Sequence, residues 1–164
     1  MRHLYLICPT DHLERAICNC FAGDHYFVTS LGNAIAFNDE EIQEFNGWMI
    51  ACAINNITFV LADDNRFVRE ALASTSVISI PSDNPLAPDL ARALNLGLKQ
   101  HPTLTDPLAI TASLLEHKVQ QLQAKLNGAH GPKIHVDATI YKRAEGQFVW
   151  PVKAHWRLAD HQLN

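Results

Sequence analysis

The chain has 164 residues, 48% of them hydrophobic and 18% charged, a balance that excludes a disordered polymer and suits one globular domain. Its net charge of −4, with no run of Lys or Arg, argues against a nucleic-acid surface, because phosphate contacts need clustered basic residues. No apolar run reaches the ~20 residues of a membrane span, and the apolar part of Met1 to Pro9 is too short for a secretory signal, so a cytoplasmic protein is expected. The four cysteines, at 8, 18, 20 and 52, form no C-x-x-C pair and read as free thiols packed as small hydrophobes. The nine histidines are scattered and read mostly as surface residues.

His3 to Ile7 reads as a first strand, closed by the turn signals of Cys8-Pro9-Thr10-Asp11, with a helix over about 12–21. Tyr26 to Thr29 is a second short strand. Asn38 then suits a helix N-cap, and Glu41, three residues on, can answer its backbone. Ile42, Phe45, Met49 and Cys52 share one face of that helix, with Trp48 beside them as core or subunit interface, until Asn55-Asn56 ends it. Ile57 to Leu61 is an apolar run broken only by Thr58, the pattern of a central parallel strand buried on both faces. Asp63-Asp64-Asn65 follows and supplies a cap, from one of the aspartates or from Asn65, to a helix over about 66–74.

Val77 to Ile80 reads as a further strand, and Asp89 to Lys99 as a short helix within a Pro- and Asn-rich stretch over 81–107. Asp106-Pro107 opens a long helix, with proline at its first position, where no hydrogen bond is lost. Its apolar face runs Leu108, Ala112, Leu115, Val119, Leu122, Leu126, and Asn127-Gly128 stops it. Ile134 to Tyr141 and Phe148 to Trp150 are extended segments joined by a turn at Glu145-Gly146. The alternation of short strands and amphipathic helices predicts an α/β fold with a central, mostly parallel sheet. The organisation expected is one domain over 1–164, with 151–164 as a C-terminal arm.

Open parallel sheets bind ligands at the carboxyl ends of their strands. Those ends are Cys8 to His12, Thr29 to Asn33 and Ala62 to Arg66, and no G-x-G-x-x-G, Walker A or G-x-S-x-G motif competes with them. The candidate ligand-binding residues are therefore Thr10, Asp11, Ser30, Gly32, Asn33, Asp63, Asp64 and Asn65. Cys8 and His12 are the catalytic candidates, although a strand-end cysteine is also a small core residue and a histidine at a helix start also a surface one. Adjacent residues point different ways, so Asp63 and Asp64 do not suit a matched acid–base pair. Gly32-Asn33 suits a tight turn, which glycine enters without strain.

The segment Gly23 to Asn33, GDHYFVTSLGN, resembles G-D-L-F-V-V-R-N-A-G-N of the β-class carbonic anhydrases, without a gap. Cys8 stands where that family has the first residue of C-x-D-S-R, and the helix over 39–54 and strand over 57–61 resemble the elements leading to its H-x-x-C. Ile134 to Phe148 resembles the family's last element, L-x-V-x-G-x-V-Y-D-x-x-T-G. The resemblance covers about residues 1–150 and implies strand order 2-1-3-4-5, an antiparallel last strand, and a homodimer or higher homo-oligomer.

The resemblance also implies a zinc site, and there the chain departs. Cys8 matches the first zinc ligand, but the second and third fall on Asp64 and Phe67, or on Asp63 and Arg66 after a shift of one. The family's Asp–Arg pair falls on Thr10 and His12. Phenylalanine has no donor, so no cofactor is expected, and the chain reads as a carbonic-anhydrase-like protein without hydrase activity that binds a small anion or serves as a scaffold. The alternative is a metalloenzyme with zinc rebuilt on Cys8, His12 and Asp63 or Asp64. A third reading makes Cys8 a thiol nucleophile with His12 as its base.

Overall fold

The computed structural model describes residues 2–35, 38–75, 106–127 and 134–150. The expected strand over 77–80, the helix over 89–99 and the arm over 151–164 lie outside the described residues. Five strands form one sheet: β1 (Arg2–Ile7), β2 (Asp24–Thr29), β3 (Asn56–Ala62), β4 (His135–Lys142) and β5 (Gln147–Val149). Their order is β2-β1-β3-β4-β5, as the resemblance implies. The first three pairings are parallel and β4–β5 is antiparallel. The helices are α1 (Glu14–Cys20), α2 (Asp39–Ala51), α3 (Arg66–Thr75) and α4 (Pro107–Asn127). Among the described residues, no helix is long and apolar enough to cross a membrane.

The period of two in the strands separates two cores. On one face Leu4, Leu6, Phe59, Leu61, Ala138 and Ile140 pack with Met49 of α2, Val68 of α3 and Leu114, Leu115 and Leu122 of α4. On the other, Tyr5, Ile7 and Val60 pack with Leu13 and Ile17 at α1, with Phe27, Tyr141 and Phe148 alongside. β3 is buried on both faces, hence an apolar run broken only by Thr58, itself buried. The sheet face under α4 is tied at its rim by Gln123, which donates to the Ile134 carbonyl at 3.1 Å and accepts from Val136 N–H at 3.1 Å. That amide would otherwise stand unpaired ahead of the short β4–β5 ladder.

The Asn38–Glu41 capping box forms as expected, with both bonds at 2.8 Å. Helix α2 nevertheless stops at Ala51 rather than at Asn55-Asn56. Ala53 takes the left-handed conformation (φ 52°), Ile54 N–H bonds back to Met49 O at 2.9 Å, and Asn56 already belongs to β3. Helix α1 starts later than expected, because Pro9–Asp11 form a 3-10 turn and His12 is left-handed (φ 53°), a break that α-helix cannot cross. In α4, Leu115, Leu122 and Leu126 are buried as the period predicts, while Leu108, Ala112 and Val119 only flank the core. Thr111 and Lys118 share the buried face, which the apolar pattern alone does not reveal. Cys18 and Cys20 are exposed, so they are not core hydrophobes. His3 and His25 are half-buried on the sheet, not surface residues.

Candidate functional site

Three chain reversals meet at the carboxyl ends of β1, β2 and β3. Cys8 is fully buried at the end of β1, and its Sγ accepts a hydrogen bond from Gly32 N–H at 3.1 Å and lies 3.0 Å from Thr10 Oγ1. Gly32 reaches the sulfur because the turn after β2 is left-handed at both Gly32 and Asn33 (φ 58° each). Ser30 opens that turn with its backbone alone: its N–H bonds Ile7 O and its carbonyl accepts from Asn33 N–H, both at 3.0 Å. The Asn33 side chain, fully buried, donates to Val60 O at 2.9 Å, and its Oδ1 has no partner among the described residues.

Asp11 is only 2% exposed. Its carboxylate accepts from Ala62 N–H and from Asn65 Nδ2, each at 2.8 Å, and so fastens the turn after β1 to the end of β3. Burial pushes this carboxyl above its usual range; the Ala62 and Asn65 bonds and the Arg143 charge pull it back, and Asp64 pushes it further up. Asn65 also accepts from Val68 N–H at 3.1 Å and is therefore the cap of α3. Neither aspartate before it caps the helix. Asp63 Oδ1 accepts from Arg143 N–H at 3.2 Å, and Asp64 takes Arg143 Nε on both oxygens at 3.0 and 2.9 Å.

Arg143 is the residue that the sequence did not single out. It follows β4, donates through Nη2 to Asp11 O at 3.1 Å, and so links the reversals after β1, β3 and β4. Its guanidinium is held above its ordinary pKa, chiefly by the Asp64 bond. Beside Asp64 opens a cleft of about 300 Å³ lined by Asp64, Arg66, Arg69 and Glu70. Arg66 is paired there with Glu70 at 2.6 Å. Two arginines one helical turn apart were present in the sequence as a signal, at the first turn of α3.

The sequence set Cys8 and His12 together as a nucleophile and base and, with Asp63 or Asp64, as a metal set. The partners of Cys8 Sγ among the described residues are Thr10 and Gly32, and His12 is not one of them; its left-handed backbone sits on an exposed corner. A Cys8–His12 nucleophile pair is therefore not formed. Among the described residues, no group of three or more His, Cys, Asp or Glu side chains is placed to hold a metal ion, so Cys8, His12 and Asp63 or Asp64 do not converge. At the positions matching the zinc ligands of the resembled family, Asp64 is committed to Arg143 and Phe67 packs against the core. Zinc sites need a majority of protein N, S or O donors. Of the matching positions, Cys8 and Asp64 carry a donor and Phe67 does not.

No family model matches the chain, and no curated protein matches it. Solved structures do. The β-carbonic anhydrase CcaA matches at TM-score 0.62 and 18% identity, over 90% of this chain and 78% of that one. The β-carbonic anhydrase CafA of Aspergillus fumigatus matches at 0.62 and 14%, over 99% and 83%. A tetrameric β-carbonic anhydrase of Sordaria macrospora matches at 0.63 and 11%, over 90% and 79%. Identities this low speak for the backbone and not for the site. The chain has the fold of the β-carbonic anhydrases.

Proposed function

We propose that this chain is a carbonic-anhydrase-like protein that does not hydrate CO2 and instead takes a small oxyanion at the carboxyl end of β3. One observation carries the reading: the cleft of about 300 Å³ beside Asp64 has Arg66 and Arg69 on its wall and adjoins Arg143 through Asp64. Guanidinium groups match carboxylate, bicarbonate or phosphate oxygens in a fork geometry. Asp64 already presents a carboxylate to Arg143, so an incoming oxyanion replaces an internal one. Hydration of CO2 by the resembled family's route depends on a metal lowering the pKa of water from ~15.7 to ~7, and the donor set argues against that metal here.

The test is a thermal-shift series with bicarbonate, phosphate and acetate at millimolar concentration against a chloride control, which separates binding from general salt effects. The wild-type midpoint is expected to rise with at least one oxyanion. Arg143→Gln is expected to lose that rise, and Asp64→Asn, which removes the negative charge paired with that guanidinium, to strengthen it. No rise with any oxyanion overturns the anion site and leaves a scaffold.

A scaffold role within a homodimer or higher homo-oligomer is favoured by Trp48, 38% exposed, and by Ile50, also exposed on α2, together with β2, an edge strand among the described residues. The Sordaria macrospora enzymes are described as tetrameric. Light scattering of the purified chain decides it: a dimer or larger is expected, and a monomer at micromolar concentration removes it. The cytoplasm is the compartment we assign, consistent with cysteines that remain free among the described residues.

A further inference from the structure

Parallel strands are ordinarily covered on both faces, but on its α1 side the described residues cover this sheet only in part. Leu13 and Ile17 sit over Tyr5, Ile7 and Val60, toward the carboxyl ends of the strands. Toward the amino ends the register sets His25, His3, Asn56 and His135 in one row, and Phe27, Tyr5, Thr58 and Asp137 in the next. Residues in register share a face, as do residues two apart on one strand, so both rows lie on the side of Tyr5. Of these residues only Tyr5 and Thr58 are buried.

Asp137 is short of a cation. Its side chain is only 29% exposed, Thr58 donates its hydroxyl to it, and the nearest base is His135, 3.8 Å away and itself exposed. No Lys or Arg among the described residues pairs with it. A carboxylate drawn this far out of water ordinarily gains a full charge partner. On the other side of Thr58, His3 Nε2 lies 2.7 Å from the same hydroxyl, which completes a His3–Thr58–Asp137 row across three strands. The His3 ring stacks on Tyr5 at 4.4 Å and has no second ring against it among the described residues.

The chain itself is aimed at this surface. β5 runs antiparallel to β4, with Val149 opposite Ile140 and its carbonyl held by Thr139 Oγ1 at 2.9 Å, so the chain leaves β5 toward Asp137 and His135. Phe148 already lies on the α1 side, against Phe21 and Tyr141. Residues 151–164, PVKAHWRLADHQLN, carry Lys153 and Arg157 against the one carboxylate of Asp160, and bring Trp156 as their large apolar group. Such a segment reaches up to ~46 Å when extended, and the sheet from β5 to β2 is ~19 Å wide. We propose that residues 151–164 of the same chain lie across the amino half of the α1 face, with Lys153 paired to Asp137 and Trp156 on the open side of His3. The spacing suits both contacts. An extended run with three residues per turn sets positions i and i+3 on one side, ~9 Å apart, and β4 and β1 are two strand spacings, ~10 Å, apart.

The test combines a double-mutant cycle with a distance measurement on the full chain. In urea unfolding, Lys153→Gln is expected to lower the folding constant by up to about fivefold, and to cost nothing further once Asp137→Asn is present. Equal losses in the two backgrounds, or no loss in either, overturn the pairing. Should Asp137→Asn not fold, the distance measurement stands alone. It places a nitroxide on Cys18, exposed on α1, with Cys20→Ser and Cys52→Ser, and reads the tryptophan indole N–H signals by NMR. Trp156 is expected to broaden more than Trp150, which stands at the root of the segment. Trp48, packed with Tyr26 on the other side of the sheet, is expected to stay sharp. Trp156 broadened no more than Trp150 overturns the proposal. A mixed sample, with the nitroxide on one copy and isotope label on another, identifies the occupant: a sharp Trp156 there supports docking within one chain. Broadening in the mixed sample alone assigns the face to a second copy and overturns it.

Discussion

Replacing Asp11 with Asn exchanges one oxygen for an NH2 group and tests whether the buried carboxylate holds the site together. Both carboxylate oxygens are in use, on Ala62 N–H and on Asn65 Nδ2 at 2.8 Å each. An amide keeps one of these bonds and turns an N–H2 toward the other donor. Asn65 cannot relieve the conflict by flipping, because its Oδ1 is the cap on Val68 N–H. The lost charge-assisted bond is worth ~1.5–3 kcal/mol and an unpaired buried donor costs ~1–3 kcal/mol. Removing a buried charge returns part of this, since burial is the main cause of the raised Asp11 pKa. The expected net loss at pH 7 is about 2 kcal/mol, a fall of roughly 1 M in the urea midpoint for a slope of ~1–3 kcal/mol/M. A carboxyl with a raised pKa binds its proton more readily folded than unfolded. Its contribution therefore grows as the pH drops through the folded value toward ~3.9, and the gap between wild type and Asp11→Asn widens with acid. Urea unfolding at pH 7 and pH 5 checks both signs. A variant as stable as wild type at pH 7 would show that burying the charge outweighs its two bonds.

Thiol labelling of the native protein reports the seal on Cys8. Cys18 and Cys20 are exposed, Cys52 is half-buried and Cys8 is buried, so two fast thiols, one slower thiol and one that reacts only on unfolding are expected. Cys8 reacting as fast as Cys18 contradicts the sealed strand end. Asn38→Ala removes one half of the capping box that starts α2 and is expected to cost about 1 kcal/mol in urea unfolding. A change near zero would mean that burial of Ile42 and Met49 alone sets the start of that helix.

The sheet was legible because its signals are local. The apolar run at β3, the cap at Asn38 and the proline opening α4 each act within a few residues, and each fixes an element where expected. The end of α2 was misread because an alanine, Ala53, holds the left-handed position that asparagine or glycine usually takes. The site was half legible. Strand ends pointed to Cys8 and Gly32, which bond each other, and to Asp11 and Asn33, which each bond the backbone of β3. Arg143 was missed because it stands 132 residues from Asp11, and only the parallel register of β3 on β4, Ala62 beside Tyr141, brings it there. Once β4 is laid beside β3, whatever follows Tyr141 must lie beside Asp63 and Asp64. The His3–Thr58–Asp137 row follows from the same register and is equally invisible to any window along the chain.

The most direct test of the account is zinc content, measured by elemental mass spectrometry on untagged protein purified without chelators and again after zinc add-back and desalting. A donor set in which Asp64 belongs to Arg143 and Phe67 stands where a ligand is needed predicts zinc far below one per chain in both samples. One zinc per chain that disappears in Cys8→Ala would contradict it and return the strand end of β1 to metal chemistry.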